Sequence, residues 1–452
     1  MSGRAWALLL VLCGAIFLEG IDIAMLAVAV PTIRADLGLS TGTAAWVVSG
    51  YVLGYAGFTL LGGRAADLLG RRRMFLGWLV VFLVFSALGG LATEGWMLIV
   101  SRFVTGVASA FMTPASMSII TTSYREGPQR NRALLIFAGT GAGGFSLGLV
   151  IGGLLTQLGW RWVFFAPVLL GGVLLLAALR LIPAAKPPAY KGSFDLAGAG
   201  AAAGAMLLLA YGILRLEHGL HGWVLTVAAV MGGLFLVGLF TAIERRSPAP
   251  LVRLGILRRA QMVRADLGAL LFLGAFMGFQ FMVTLYLQEL RGWSSMETSL
   301  ALLLMGVDVL LAPTVTPLLV NRFGYGRVIL GGFVMAAVGY LLFLPVGPDW
   351  TYAAMVPTLA LVGVAFALAY GPLTIAATDG VAEGEQGLAG GLLHTATQFG
   401  AAVGVSSVTA VYGLVGEGMG AFRAGLVVPV VMALAGVALA FPSARRHPHA
   451  HR

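Results

Sequence analysis

Long apolar runs separated by short polar breaks fill almost the whole chain. Runs over residues 5–30, 44–62, 74–92, 96–120, 132–156 and 162–182 are each long enough to cross a bilayer as a helix, a crossing needing about 20 residues. Two more follow at 195–214 and 222–243, and then six at 266–288, 297–319, 327–346, 351–376, 387–412 and 421–441. Inside lipid a segment must satisfy its own backbone hydrogen bonds, so such runs predict helices. The pattern predicts an all-α polytopic membrane protein of 14 transmembrane helices, arranged six, two, six. The expected units are a six-helix bundle over 1–182, an inserted helix pair with its linker over 183–262, and a second six-helix bundle over 263–452. Lys186-Pro187-Pro188 and Ser247-Pro248-Ala249-Pro250 punctuate the ends of the inserted pair. The first run is longer than a signal-peptide core and lacks a small-x-small cleavage site ahead of charged residues, so it is read as a span.

Composition agrees with this reading, because 59% of the 452 residues are hydrophobic and only 10% charged, which fits neither an average soluble domain nor a disordered chain. The net charge of +10 does not point to nucleic acid, since the arginines are dispersed among short loops rather than gathered on one face. Their distribution instead sets orientation. Segments on the N-terminal side of the membrane hold 22 of the 28 Lys and Arg, the opposite loops hold five, and Arg102 lies within a span. Basic residues accumulate on the cytoplasmic side, so both termini are expected in the cytoplasm, with the chain multi-pass in the plasma membrane. The single Cys13 excludes a disulfide framework and a Cys-based metal site. No phosphate-binding loop implies ATP, and no metal, cofactor or nucleic-acid partner is expected. The chain is expected to be a monomer.

Candidate chemistry sits where acids interrupt the apolar runs. Span 1 reads Leu18-Glu19-Gly20-Ile21-Asp22-Ile23-Ala24-Met25-Leu26-Ala27-Val28-Ala29-Val30-Pro31. A charge at the centre of a spanning helix costs roughly 2.5–3.5 kcal/mol, which makes an intramembrane acid a functional-site candidate. Glu19 and Asp22 are three apart and share a helix face. At 1.5 Å per residue Asp22 lies roughly 12 Å from the outer end of its span and Arg102 roughly 9 Å from the outer end of span 4, depths that suit an ion pair. Burial and a neighbouring arginine act on a carboxyl in opposite directions, so Asp22, Glu19 and Arg102 form a candidate proton-coupling site. The alternative is a static pair that only positions helices.

In the second half the deepest polar side chains are Gln280, Asp308, His394 and Gln398, with His394 and Gln398 on one face. Phe276 and Tyr286 belong to an aromatic and Met-rich span 9 that suits a permissive apolar cavity, packing being the alternative. Asp308 is expected roughly 17 Å from the outer end of span 10, across that cavity from Glu19 and Asp22. The alternative is a protonated acid hydrogen-bonded to nearby backbone. The six residues Asp308, Gln280, Phe276, Tyr286, His394 and Gln398 are the candidate substrate-binding set.

Two short segments repeat weakly: Gly63-Arg64-Ala65-Ala66-Asp67-Leu68-Leu69-Gly70-Arg71 after span 2, and Pro317-Leu318-Leu319-Val320-Asn321-Arg322-Phe323-Gly324 after span 10. Repetition between two six-span halves points to a secondary transporter with its site near the midplane. The first segment resembles the signature G-x-L-A-D-R-x-G-R-K, with Gly63, Asp67, Gly70, Arg71 and Arg72 in register. Gly63 permits close helix approach, and Asp67 can cap a neighbouring helix N-terminus and pair with Arg71, giving a conformational latch. The alternative is an ordinary basic inner loop. Span 1 is similar to L-D-x-T-x-V-N-x-A-L-P, with Asp22 nine residues before Pro31 and Ala24 and Ala27 at the Thr and Asn positions. Span 4 resembles R-x-x-Q-G-x-G-A-A from Arg102, with Thr105 for Gln, and span 5 resembles G-x-x-x-G-P-x-x-G-G through Gly144, Gly148, Gly152 and Gly153, with Leu149 for Pro.

Together these motifs resemble the major facilitator superfamily, and within it the fourteen-span drug:proton antiporters, over essentially the whole chain. The resemblance implies two six-helix bundles plus two inserted spans, and a proton-coupled exporter of amphipathic, cationic small molecules working by alternating access. Its partners would be the small-molecule substrate, protons and the lipid bilayer. A dedicated exporter of one metabolite or self-made antibiotic is the first alternative. A non-transporting receptor or a membrane enzyme is the remote one, and no nucleophile, base or metal cluster supports an enzyme.

Overall fold

The computed structural model describes residues 3–183, 195–215, 223–247, 250, 252, 254–416 and 418–445. The punctuating Lys186-Pro187-Pro188 lies outside the described residues, as do Pro248 and Ala249. The first six helices are α1 (Gly3–Asp36), α2 (Thr41–Leu69), α3 (Arg71–Gly90), α4 (Gly95–Ser123), α5 (Pro128–Leu158) and α6 (Trp162–Leu181). The inserted pair is α7 (Leu196–Leu214) and α8 (Trp223–Arg246). Then come α9 (Ala260–Leu285), α10 (Ser295–Leu302), α11 (Asp308–Phe323), α12 (Tyr325–Phe343), α13 (Tyr352–Thr378), α14 (Gln386–Val415) and α15 (Met419–Arg445). Helices α10 and α11 form a single crossing joined by a 3-10 segment, Leu303–Val307, so the described residues hold 14 spans.

Local chemistry sets the helix ends. Ser40 caps α2 by accepting from the Thr43 amide at 3.1 Å, and Ser294 and Glu297 form a reciprocal capping box ahead of α10. Pro128 opens α5 at a position where its missing N–H costs nothing. Gly70 turns α2 into α3 with φ of 101°, a conformation that disfavours any side chain.

The two sets of six helices pack alike. α1 lies on α5 and α6, α2 on α4, and α3 on α4 and α6; correspondingly, α9 lies on α14 and α15, α11 on α13, and α12 on α13 and α15. Lipid supplies no hydrophobic drive between helices, so close packing of small residues has to supply it. A Cβ on Gly144, Gly148 or Gly152 would sit 2.6–2.8 Å from the backbone of Phe17, Ile21 or Met25 on α1. The same device recurs between α9 and α14, where Gly400 and Gly404 press on the Leu270 and Gly274 carbonyls. Gly153 faces elsewhere, toward the Met296 side chain of α10.

The halves meet along two seams related by this repeat: α2 against α14, and α5 against α11. α7 packs on both α2 and α14, and α8 packs on α7. Stacking of Trp46 on Tyr211, at 6.0 Å between ring centroids, and donation from the Ser406 hydroxyl to the Ile213 carbonyl, at 3.1 Å, fix α7 over the first seam.

Candidate functional site

A cluster of buried polar side chains occupies the interior of the first six helices. Arg102 of α4 meets Asp22 of α1 at 2.5 Å, and each side chain is only 2% exposed. The Tyr51 ring of α2 lies 4.5 Å from the Arg102 guanidinium carbon, and the Tyr51 hydroxyl donates to Ser109 at 2.9 Å. One turn earlier on α1, Glu19 accepts from the Thr113 hydroxyl at 2.5 Å, with the Tyr55 hydroxyl beside it. Both acids therefore face α4. Removing one member of a buried ion pair leaves the other charge without compensation, so protonating Asp22 would weaken the hold of α1 on α4.

A separate cavity of about 50 Å³, room for a few waters, lies where α5 meets the second six helices. Asp308, Gln280 and Phe276 line it, joined by Phe145 and Ser146 of α5 and Phe366 of α13. Asp308 is 1% exposed; its carboxyl touches the Val309 backbone amide while Oδ2 has no partner, and the Gln280 Oε1 has none either. Two unsatisfied oxygens in an aromatic pocket make a site for a ligand that donates hydrogen bonds or carries positive charge.

Other expected positions fall differently. The cavity is bounded by α5 rather than α1, so Asp308 does not look across it at Glu19 and Asp22. α1 is covered by α5 through the glycine contacts, which turn its acids toward α4. Tyr286 does not reach the cavity: its hydroxyl donates to the Gly347 carbonyl at 2.7 Å, and its ring packs between Phe343 and Phe422. His394 is buried in α14 with Nε2 unpartnered, and Gln398 is half-buried one turn on; neither lines the cavity.

At the end of the bundle carrying the α2–α3 loop, hereafter the basic end, Asp67 accepts from the backbone amides of Gly387 and Leu388 at 3.0 and 2.9 Å. These amides belong to the first turn of α14, where a negative charge also meets the positive end of the helix dipole. Arg71 lies 3.6 Å from Asp67, and it donates to the Glu383 carbonyl at 2.6 Å. A Cβ on Gly63 would collide with the Gly387 carbonyl, so the glycine is what lets α2 lie on α14. Arg72 plays no part in this contact, because it bonds the Leu179 carbonyl at 2.9 Å. Arg130 adds a further tie, from α5 to the Thr378 carbonyl of α13 at 2.9 Å.

Sequence reasoning missed Tyr51, Tyr55 and Thr113. The signal was present, since Thr105, Ser109, Thr113 and Ser116 recur every three or four residues along α4. It also missed Phe366 and Asp266, an acid near the start of α9 whose Oδ1 has no partner.

The model of the Major Facilitator Superfamily matches residues 12–405. The chain is 34% identical to a cephamycin export protein of Amycolatopsis lactamdurans, over 91% of this chain and 86% of that one. It is 32% identical to a puromycin resistance protein of Streptomyces alboniger, over 90% and 82%. It is 31% identical to a lincomycin resistance protein of Streptomyces lincolnensis, over 90% and 84%. Its fold is similar to the crystal structure of a human organic anion transporter, with a TM-score of 0.73, 16% identity, and coverage of 97% of this chain and all of that one.

Proposed function

Because the chain belongs to the major facilitator superfamily, we propose that it exports antibiotic-like amphipathic small molecules across the plasma membrane in exchange for protons. The activities for which the relatives are named, cephamycin export and puromycin and lincomycin resistance, support export of drugs or antibiotics. The single observation that carries proton coupling is the buried Asp22–Arg102 pair with Glu19 bonded to Thr113 one turn away. In this reading a proton arriving at Asp22 or Glu19 loosens α1 from α4. The two six-helix bundles then rock about the central cavity, and the Asp67 contact at the basic end opens and closes once per cycle. The distribution of basic residues supports placing that end, and both termini, in the cytoplasm. Asp308 and Gln280 would then hold the positively charged part of a substrate against Phe276 and Phe366 in the opened cavity.

Uptake of rhodamine 6G into inside-out proteoliposomes under an imposed pH gradient tests the reading. Wild type concentrates the dye only with the gradient, and Asp22→Asn abolishes uphill uptake while the protein still inserts. Full uphill uptake by both Asp22→Asn and Glu19→Gln would move proton coupling elsewhere. A dedicated exporter of one compound is favoured only if competition assays show a narrow substrate range; a mixed set of competing antibiotics excludes it.

A further inference from the structure

The buried acids of α1 and the cavity at Asp308 are separate sites, yet coupling requires that each bias the equilibrium of the other. The internal repeat shows where the two come together. Gly106 of α4 lies on the Tyr51 carbonyl of α2, and Gly363 of α13 lies on the Met305 carbonyl ahead of α11. Tyr51 and Met305 both stand sixteen residues before the matched pair Asp67 and Asn321, so the two crossings are in register. Seven residues past these glycines, about two helical turns, stand Thr113 and Tyr370. Thr113 donates to Glu19 at 2.5 Å within its own half. Tyr370, its counterpart in the other half, also interacts electrostatically with Glu19. One carboxyl thus gathers the equivalent side chains of both halves, and the second of these contacts crosses between them.

Tyr370 also touches the wall of the cavity. Its ring centroid lies 5.1 Å from that of Phe366, which lies 4.7 Å from that of Phe276, and both phenylalanines line the cavity beside Asp308. Gly371 holds this turn of α13 against the first half, since a Cβ there would lie 2.6 Å from the Leu135 Cδ2 of α5. Pro372 leaves the Leu368 carbonyl without its helical donor, so α13 yields more readily at the turn that carries Tyr370. The other polar groups facing Glu19 belong to its own half: Asp22 on α1 with Arg102 beyond it, Tyr51 and Tyr55 on α2, and Thr113 on α4. α5 and α6 meet this stretch of α1 with glycines.

Resting on the export reading, we propose that Tyr370 is the positioning residue that couples the cavity to the proton site, its hydroxyl donating to Glu19 when bound substrate presses on Phe366 and withdrawing when the cavity empties. A hydrogen bond donated to a carboxylate favours the ionised form, so substrate entry drives the proton off Glu19. The phenol keeps its own proton throughout, and the proton lost from Glu19 passes to water. Because Glu19 and Tyr370 lie in different halves, rocking of the bundles makes and breaks their contact once per cycle.

The test measures protons released per bound rhodamine 6G by the full-length protein in detergent at low buffer strength. Tyr370→Phe keeps the ring and removes the donor, so dye affinity should stay within about threefold of wild type while protons per bound dye fall roughly fivefold or more. Tyr340→Phe, which removes another buried hydroxyl in the aromatic core of the second half, should change neither. In a Glu19→Gln background Tyr370→Phe should cause no further fall, because the two residues act as one unit. If Tyr370→Phe does not fold, Tyr370→Leu carries the same measurement. Proton release equal to wild type from the folded variant overturns the assignment and leaves export against protons standing. A further fall in the Glu19→Gln background also overturns it, because Tyr370 then acts elsewhere. So does weakened dye binding with protons per bound dye unchanged, which makes Tyr370 part of the cavity wall alone. Dye binding to wild type without proton release overturns the export reading and the assignment with it.

Discussion

Asp67→Asn is the sharpest perturbation of the basic-end contact, because the amide keeps the volume and one acceptor while losing the charge. In the structure the two carboxylate oxygens of Asp67 accept from two successive amides of α14, Gly387 at 3.0 Å and Leu388 at 2.9 Å. Asparagine can accept only one of these and turns an NH2 group toward the other. A hydrogen bond to a charged group contributes about 1.5–3 kcal/mol, and the lost interaction with the helix dipole acts in the same direction. The contact joins α2 to α14, and in the proposed cycle it breaks when the basic end opens, so the whole loss should fall on the open–closed equilibrium. At about 1.4 kcal/mol per tenfold, the open population should rise roughly 10- to 100-fold. Met117→Cys, in a Cys13→Ala background, reports this: Met117 is fully buried against Gly390 beneath the contact. Its alkylation rate should rise at least tenfold in Asp67→Asn, and dye transport should fall while dye still binds. Arg72→Ala should leave the rate unchanged, since Arg72 bonds Leu179 within its own half. Equal alkylation rates with and without Asp67→Asn, in protein that still transports, would refute the latch.

Gly148→Leu should lower the detergent melting temperature by several degrees, because even a Cβ there would lie 2.8 Å from both the Ile21 Cα and the Ala24 Cβ; Gly172→Leu, where a Cβ meets nothing within 4 Å, should not. Asp308→Asn should lose uptake of dications such as methyl viologen at least tenfold while keeping rhodamine 6G within about threefold, since Gln280 and the aromatic wall remain; equal loss of both would assign Asp308 to coupling or folding. Membrane-impermeant maleimide should label Gly255→Cys from the cytoplasm and Glu94→Cys from outside, and the reverse pattern would invert the orientation.

The spans were legible because a bilayer imposes one length and one composition on every crossing helix, and the fourteen apolar runs coincide with the fourteen spans among the described residues. Span 10 shows where that logic stops. Its apolar run is unbroken around Leu303–Val307, yet the chain there tightens into a 3-10 segment that brings Asp308 to the first turn of α11. Matching depths along α1 and α4 pointed to Asp22 and Arg102, which the fold brings to 2.5 Å. Facing was harder to read. α1 is apolar on nearly all sides, so its sequence does not say which side looks into the cavity; the answer lay in the glycines of α5, which claim one face of α1 and leave its acids to α4. Tyr286 misled for a related reason, since an aromatic near the end of a span serves equally well in packing, here between Phe343 and Phe422. Glu383, the partner of Arg71, sits with Glu385 in a single 3-10 turn ahead of α14, where spacing carries no signal.

The central claim, that the α1 carboxylates exchange protons against substrate, is tested most directly by proton release from purified protein in detergent at low buffer strength. Adding rhodamine 6G to wild type near neutral pH should release protons in proportion to bound dye, because substrate binding and protonation of the α1–α4 site compete through the same conformational equilibrium. Asp22→Asn combined with Glu19→Gln should bind the dye and release none. Proton release from the double variant equal to that of wild type would contradict the account.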